Sequence, residues 1–407
     1  MAPRKRGMQP LPMGDARGVA LVMVLAMLAL LGSLIADFQF TSRVDIEMSY
    51  SARDTLQAEY NALSALRMRA LLLKQSRKVA DVAKVLSGLT SQAGAAGGAA
   101  GGAGAAAAGM QLPLGQILEM IPVECGLMNA ITRRVDRSAG QSGTSGEHED
   151  FFLGECMATS ESEHSKIPIN LLRNNIQDRA TTVAQMLLGL LSDARLRHFF
   201  DSDDRLGSHI ESPLLLVQAI TDWIDSDHTE SLNLGDEDRH YQSLKDPYRA
   251  KNAPFDSVSE LQLVHGMSDG LYDILRDHVT IYNDTPSIEL STAPLERILY
   301  WGLPAALKDG LPPGALLPGM PTLARKIATL RSLGAMVPMT LSTLQQVITQ
   351  SGMGQIIDSQ KLARVFSDSS STTWYTLVAE GRMNHATRRI RAVFQASEGQ
   401  FYYVRID

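Results

Sequence analysis

The run "RGVALVMVLAMLALLGSLIADF", Arg17 to Phe38, constrains this chain more than any other stretch. From Val19 to Ala36 it carries no charge, and only Gly32 and Ser33 interrupt its large apolar side chains. About 18 residues of helix measure roughly 27 Å, close to the minimum for crossing a bilayer. Arg4, Lys5, Arg6 and Arg17 precede the run, which orients its N-terminal end toward the cytoplasm. A secretory signal has a shorter apolar core and a small-residue cleavage site behind it, and "SLIADF" is a poor site. The run therefore predicts a membrane-spanning helix.

The helix does not stop at the membrane. From Ser33 to Ser87 there is no Gly and no Pro, and apolar residues recur at helical spacing, as in Leu63, Leu66, Met68, Leu71 and Leu73. The simplest object is one helix over about 19–88, roughly 100 Å long. Its first part suits lipid and its second part is amphipathic.

Beyond it the composition changes abruptly. Residues 93–109, "AGAAGGAAGGAGAAAAG", hold no side chain large enough to build a core and read as a loop. Residues 110–170 read as short strands with long connections. From Leu171 to about Ser351 the pattern is helical, with stripes in "DRATTVAQMLLGLLSDARLRHFF" and "SPLLLVQAITDWI" punctuated by Gly and Pro. The C-terminal "TTWYTLVAEGRMNHATRRIRAVFQASEGQFYYVRID" reads as three antiparallel strands, with turns at "EGRMN" and "SEGQ". The expected class is α+β: a long helix with an antiparallel sheet, and an all-α domain inserted between its strands.

Net charge −6 argues against nucleic acid, which requires a concentrated basic surface. The two cysteines, Cys125 and Cys156, both lie after the apolar run. In an extracytoplasmic compartment they are expected to pair, closing a loop of about 30 residues worth roughly 3–4 kcal/mol. The alternative is two separate buried thiols.

A basic leader ending in Gly18, followed by a long apolar helix that becomes amphipathic, resembles the type IV pilin and pseudopilin class. In that class a prepilin peptidase cuts after the glycine and the new N-terminus is methylated, which implies Gly18 as the last leader residue and Val19 as the N-methylated first mature one. Most members carry Glu at the fifth mature position, where this chain has Met23. Lack of that glutamate is a mark of the K-type minor pseudopilin of type II secretion. Residues 222–267 resemble that type in detail: "DWIDSD" at 222–227, "GDED" at 235–238, Tyr241, "PY" at 247–248 and "SVSELQLVHG" at 257–266. "KIPIN" at 166–170 and "IELSTAP" at 288–294 are similar to further family segments.

The resemblance implies a leader (1–18), a transmembrane part (19–37) and a periplasmic part (38–88) of one helix. A pilin-like region (89–170), an inserted helical domain (171–351) and closing strands (352–407) follow. It implies a non-enzymatic subunit at the tip of the pseudopilus, in the inner membrane with a cytoplasmic N-terminus and a periplasmic body, helping to start assembly for protein export. The implied partners are the I- and J-type minor pseudopilins, the major pseudopilin, the assembly platform and the prepilin peptidase. A minor pilin-like protein of a type IV pilus is the alternative within the class.

Acidic residues crowd one loop: Asp222, Asp225, Asp227, Glu230, Asp236, Glu237 and Asp238. From composition alone a solvated acidic loop is the simpler reading. Clustered hard oxygens also suit Ca²⁺, which takes six to eight of them, although the spacing is not that of an EF-hand. The family resemblance, in which a calcium site lies in the helical domain, implies Ca²⁺ held first by Asp225, Asp227 and Glu237, then by Asp222 and Asp238. Trp223 and Ile224 are expected in the core. An enzyme reading rests on "GMSDG", Gly266–Gly270, which fits a nucleophile elbow with Ser268, Asp284 and His385 in order. The simpler reading is a bend between two helices.

The processing expectation is testable directly. Mass spectrometry of the membrane protein should find Val19 as its N-terminus, and Gly18→Asp should leave the leader attached. An intact leader on the unsubstituted protein would refute the pseudopilin resemblance at its first step.

Overall fold

The computed structural model describes residues 16–94, 122–130, 152–173, 177–201, 210–231, 235–332, 339–368 and 373–407. Residues 1–15 of the expected leader and 95–109 of the Ala/Gly-rich stretch lie outside the described residues. The helices discussed below are α1 (Ala16–Gly94), α2 (Gln177–Leu191), α3 (Pro213–Ile224), α4 (Asp238–Gln242), α5 (Asp269–His278), α6 (Met320–Ser332), α7 (Leu341–Gln350) and α8 (Ser359–Val365). The strands are β1 (Val123–Glu124), β2 (Glu155–Ser162), β3 (Ile167–Pro168), β4 (Val279–Thr280), β5 (Ile288–Glu289), β6 (Phe366–Ser367), β7 (Trp374–Met383), β8 (Ala386–Gln395) and β9 (Gln400–Ile406).

Helix α1 is continuous over 79 residues, somewhat longer than the pattern 19–88 marks. It passes through Gly88 because a single glycine costs a helix only about 1 kcal/mol. Its N-terminal part holds a stretch long and apolar enough to cross a membrane, and none of that stretch is buried by the rest of the chain. From Ala58 onward the same helix lies on a five-stranded antiparallel sheet of order β1-β2-β7-β8-β9. The three expected C-terminal strands form its wider half.

Alanines make that packing close. Ala58, Ala62, Ala65, Leu66, Ala70 and Leu73 fall along one face of the helix and are buried. They meet Ala158 of β2, Tyr375, Leu377 and Ala379 of β7, and Ile390, Ala392 and Phe394 of β8. Gly381 lies in β7 directly under the helix. A Cβ there would overlap the backbone of Ala58 and Ala62. The sequence pattern assigns this glycine to the turn "EGRMN", but the turn falls later, at Asn384 and His385, and Asn384 takes the positive φ of 50°. Gly381 is in the strand because α1 crosses there. Polar anchors flank the seam: Asn61 Nδ2 donates to the Leu153 carbonyl at 2.6 Å, and Arg69 Nη2 donates to Ser160 Oγ at 2.6 Å. Cys125, just after β1, and Cys156 of β2 are joined as a disulfide, with their Cα atoms 5.0 Å apart.

The helical module builds a second core, drawn from Ile167 to Phe366 and centred on α2, α3 and a helical stretch over 295–305 that carries buried Trp301. Two short parallel pairs, β3 with β4 and β5 with β6, tie its ends together. Buried polar groups join the module to the sheet. Lys166 Nζ donates to Glu163 at 2.6 Å, and Thr376 of β7 donates to the same carboxylate. Burial alone would raise the Glu163 carboxyl, but the Lys166 ammonium and hydrogen bonds from Thr280 and Thr376 outweigh it and hold it below the usual range. Arg297 Nη1 donates to Ser165 Oγ at 2.5 Å, and its other nitrogen pairs with Glu161.

The crossing at Gly381 generates a test. Gly381→Ala should lower the stability of the detergent-solubilised chain by about 2 kcal/mol or more, because the obstacle is backbone and cannot rotate away. Gly314→Ala, where the nearest neighbouring atom is 3.9 Å from the added carbon, should leave thermal unfolding unchanged.

Candidate metal centre

The acidic loop grows out of the end of α3. Ser212 caps the start of that helix by accepting from Leu215 N, and Pro213 supplies a first residue that needs no donor. Leu216, Val217, Ile220, Trp223 and Ile224 form its buried face. Trp223 packs edge-on to Tyr241 at 5.3 Å, so Trp223 and Ile224 are core residues, as the pattern predicts. The helix ends at Asp225, whose backbone N–H still donates to Thr221 O at 3.0 Å. No basic residue occupies the last turn. Asp222 and Asp225 therefore stand at the negative end of the helix dipole, where anions are disfavoured.

A tight return brings a third acid back. Thr229 and Asp236 form an isolated antiparallel bridge, and Glu230 N donates to Gly235 O at 3.0 Å. Glu237 then folds onto the helix end. Single oxygens of Asp222, Asp225 and Glu237 all lie within 4.8 Å of one another. Glu237 is only 3% exposed, and neither of its carboxylate oxygens has a hydrogen-bond partner. Asp225 Oδ1 is likewise buried and without one. Buried carboxylates left in this state are costly, and a bound cation is the simplest way to satisfy them.

The remaining acids have other work. Asp227 Oδ1 accepts from Thr229 N at 2.9 Å, and Asp238 Oδ1 accepts from Ala250 N at 3.0 Å. Neither joins the set of three, so the expected order of ligands changes: Asp222 moves into the set, and Asp227 and Asp238 shape the loop around it. Asp222 sits on the helix face three residues before Asp225, so both carboxylates meet Glu237, whereas Asp227 stays close enough to repel them without joining the set. Asp222 also accepts from Ser231 N at 3.2 Å and from its hydroxyl. Two further groups shape the loop, Glu230 from the acidic run and Asn252, which carries no sequence signal. Glu230 is buried, with His240 Nε2 at 3.1 Å and its Oε2 without a partner. Asn252, at φ 50°, donates to Asp227 O at 2.8 Å and pins the loop to α3.

Crowding shows in the protonation of the acids. Burial, then repulsion from Asp227 and Asp222, raises Asp225 to about 6. Burial, then repulsion from Asp225, Asp222, Asp227 and Asp238, raises Glu237 to about 8. Asp222 is raised as well, by burial first, with Ser231 opposing. The donor set is all hard oxygen, which fits a divalent cation of the Ca²⁺ or Mg²⁺ kind and does not favour soft metals.

The hydrolase arrangement does not form. Ser268 caps α5 with its hydroxyl, which accepts from Leu271 N at 3.3 Å. His385 lies in the β7–β8 turn, beside Asp54 of α1 rather than beside Ser268. Gly266 takes φ 78° and a Cβ there would strike Ile210, so "GMSDG" is the bend the simpler reading describes.

Residues 168–284, which contain all three converging acids, match the family model described as type II secretion system (T2SS), protein K. This part of the chain is similar to the protein K family. A type II secretion system protein K of Klebsiella pneumoniae is 30% identical over 148 residues, 35% of this chain and 41% of that protein. Another, from Pectobacterium carotovorum subsp. carotovorum, is 36% identical over 88 residues, 21% of this chain and 26% of that protein. The chain thus matches less than half the length of these relatives. A solved GspK-GspI-GspJ complex from the type 2 secretion system of enterotoxigenic Escherichia coli includes a chain that is 16% identical, with a TM-score of 0.44. The match covers 70% of this chain and 95% of that one.

The protonation of the acids sets a pH dependence. Both folded-state values lie above the ordinary carboxylate range, so the ion-free fold binds protons that the unfolded chain has released. Their contribution to stability is present below about pH 4 and is lost as pH rises through about 6 for Asp225 and about 8 for Glu237. In chelator the melting temperature should fall between pH 5 and pH 8. Asp225→Asn with Glu237→Gln should flatten that fall; an unsubstituted protein with no slope would mean the acids are simply solvated.

Proposed function

We propose that this protein is a minor pseudopilin of the K type, cut after Gly18 and methylated at Val19, and that it stands at the tip of the type II secretion pseudopilus in the inner membrane. The observation that carries this reading is the protein K match over 168–284 on a chain whose single long helix leaves an apolar stretch and docks on an antiparallel sheet. In this role it is structural and not catalytic.

The position of the module supports the tip. The β7–β8 turn meets α1 at Asp54, through Asn384, whereas the β8–β9 turn reaches Lys74. The chain leaves β2 at Ser162 and re-enters β7 at Trp374, both at the Lys74 end. The helical module therefore joins the sheet at the end farthest from the apolar stretch, roughly 50 Å along α1 from Phe38. A bulky module there obstructs a subunit stacked above it, while leaving the lower end free for neighbours. Met23, in place of the glutamate that would reach such a neighbour, agrees with an end position.

The cation we assign to the cluster is Ca²⁺. Three carboxylates at a loop that spans two elements suit a large ion with adaptable coordination better than Mg²⁺, which requires a tight octahedron. Bound there, it would neutralise the acids and fix the loop between Ile224 and Tyr241 to α3. The partners we infer are the I- and J-type subunits and the major pseudopilin, with the assembly platform and prepilin peptidase acting on the same helix.

Two measurements test the reading. Co-expression with the other subunits of a type II secretion system should let this chain copurify with the minor ones; purification of the chain alone under those conditions would overturn it. Millimolar Ca²⁺ should raise the melting temperature over chelator, by the equivalent of about 2.7 kcal/mol at a hundredfold excess over Kd, with Mg²⁺ substituting poorly. Equal melting temperatures would remove the calcium assignment while leaving the assembly role standing.

A further inference from the structure

Helix α3 has a second working face besides the one it buries in the core. Leu215, Gln218, Ala219 and Asp222 recur at helical spacing and line a half-open cavity of about 280 Å³. Glu230 lines it as well, together with the rings of His240 and His265, which stack 4.0 Å apart. Tyr241 joins the lining from the core, where it packs on Trp223, and its hydroxyl accepts from His265 N at 3.2 Å.

Two polar atoms of these lining residues have no partner. Glu230 is 7% exposed. Its Oε1 meets His240 Nε2 at 3.1 Å and the largely exposed Arg239 at 3.6 Å, but its Oε2 is buried without a hydrogen bond. Gln218 Oε1 is buried without one too. Gly235 leaves room beside Glu230 Oε2, since a Cβ there would stand 3.1 Å from that oxygen. Glu230 is not among the three acids that converge on the candidate metal position. An ion held by those three therefore leaves the demand of Glu230 unmet.

We propose that this cavity receives the arginine side chain of a partner polypeptide, with the guanidinium inward toward Glu230 and Gln218. Charge selects a cation. Glu211, Asp222, Glu230 and Glu237 line the cavity, and no lysine or arginine does among the described residues. Shape selects an organic one. Ile210, Leu215, Ala219 and Ala250 give the lining apolar surface, which a hard metal ion cannot use and along which an arginine lays its aliphatic stem. A guanidinium is planar, weakly hydrated and stacks on flat rings while donating several hydrogen bonds; an ammonium is neither planar nor weakly hydrated. Size selects a single side chain, because drug-sized ligands occupy cavities of about 300–1,000 Å³. The same acids disfavour free arginine, whose α-carboxylate would face them, whereas in a polypeptide that group is part of a peptide bond. The proposal depends neither on the pseudopilin reading nor on the ion assigned to the neighbouring acids.

Calorimetry on the full chain in detergent tests the cavity, with Nα-acetyl-arginine amide as the probe and millimolar Ca²⁺ present. The blocked arginine should bind in the millimolar range or tighter, and at least tenfold better than the equally blocked citrulline, its uncharged isostere. Blocked lysine and free arginine should both bind more weakly. No binding, or equal binding of the citrulline probe, would overturn the proposal. Equal binding of blocked lysine or of free arginine would overturn the assignment to a peptide-borne arginine. Binding seen only in chelator would place the probe on the three-acid cluster and overturn the cavity. Glu230→Gln, which removes the counter-charge, and Ala219→Leu, which fills the space with every acid left in place, should each weaken the probe at least tenfold. Both are compared at a melting temperature matching the unsubstituted chain, and unchanged binding in either folded variant would overturn the cavity as the seat.

Discussion

The sheet domain depends on how closely α1, beyond its apolar stretch, can lie on its strands. The helix alone is only an apolar rod that becomes amphipathic, and the strands beneath it come from opposite ends of the chain. Ala58 and Ala62 remove side-chain bulk from the helix, and Gly381 removes it from β7, so backbone approaches backbone. That approach lets Leu66, Leu73, Tyr375, Leu377 and Phe394 close into one dry core. The disulfide between Cys125 and Cys156 then fastens β1 to β2 at the opposite side of the sheet from β9.

A second constraint follows from the first. The chain leaves the sheet at Ser162 and comes back at Trp374, and the module between these points needs a fixed attitude. Buried Glu163, Lys166, Thr376 and Arg297 supply it through directional bonds that an apolar joint would lack. Aromatic contact adds to them, with Tyr282 stacked on Trp374 at 5.2 Å between rings and Trp374 edge-on to Tyr402. Removing one member of such a network leaves a buried charge unpaired, which is more costly than never having had the pair.

The acidic centre obeys the opposite economy. At the sheet junction each buried charge has a counter-charge, whereas Asp222, Asp225 and Glu237 face one another at the negative end of α3, and their mutual repulsion outweighs the pull of Arg173 on Asp225. A polypeptide holds such a group together only by protonating it or by binding a positive ion. A divalent cation would convert repulsion at this loop into a clasp between α3 and α4, so the order of the loop would depend on the ion.

Several features were legible in the residues alone. An uncharged apolar run, continued without Gly or Pro, dictates one long helix, because backbone propensity and hydrophobic period are local properties. The three closing strands, the helical character of the insert and the crowding of acids near 225 were legible for the same reason. Other features required the chain to meet itself. Gly381 reads as a turn residue until α1 is seen to cross it. The resemblance puts Asp227 ahead of Asp222 as a ligand, and only the return of Glu237 onto the helix end brings Asp222 together with Asp225. Sequence fixes what each segment prefers by itself, while distances between segments remote in the chain are set by packing, and packing exists only in three dimensions.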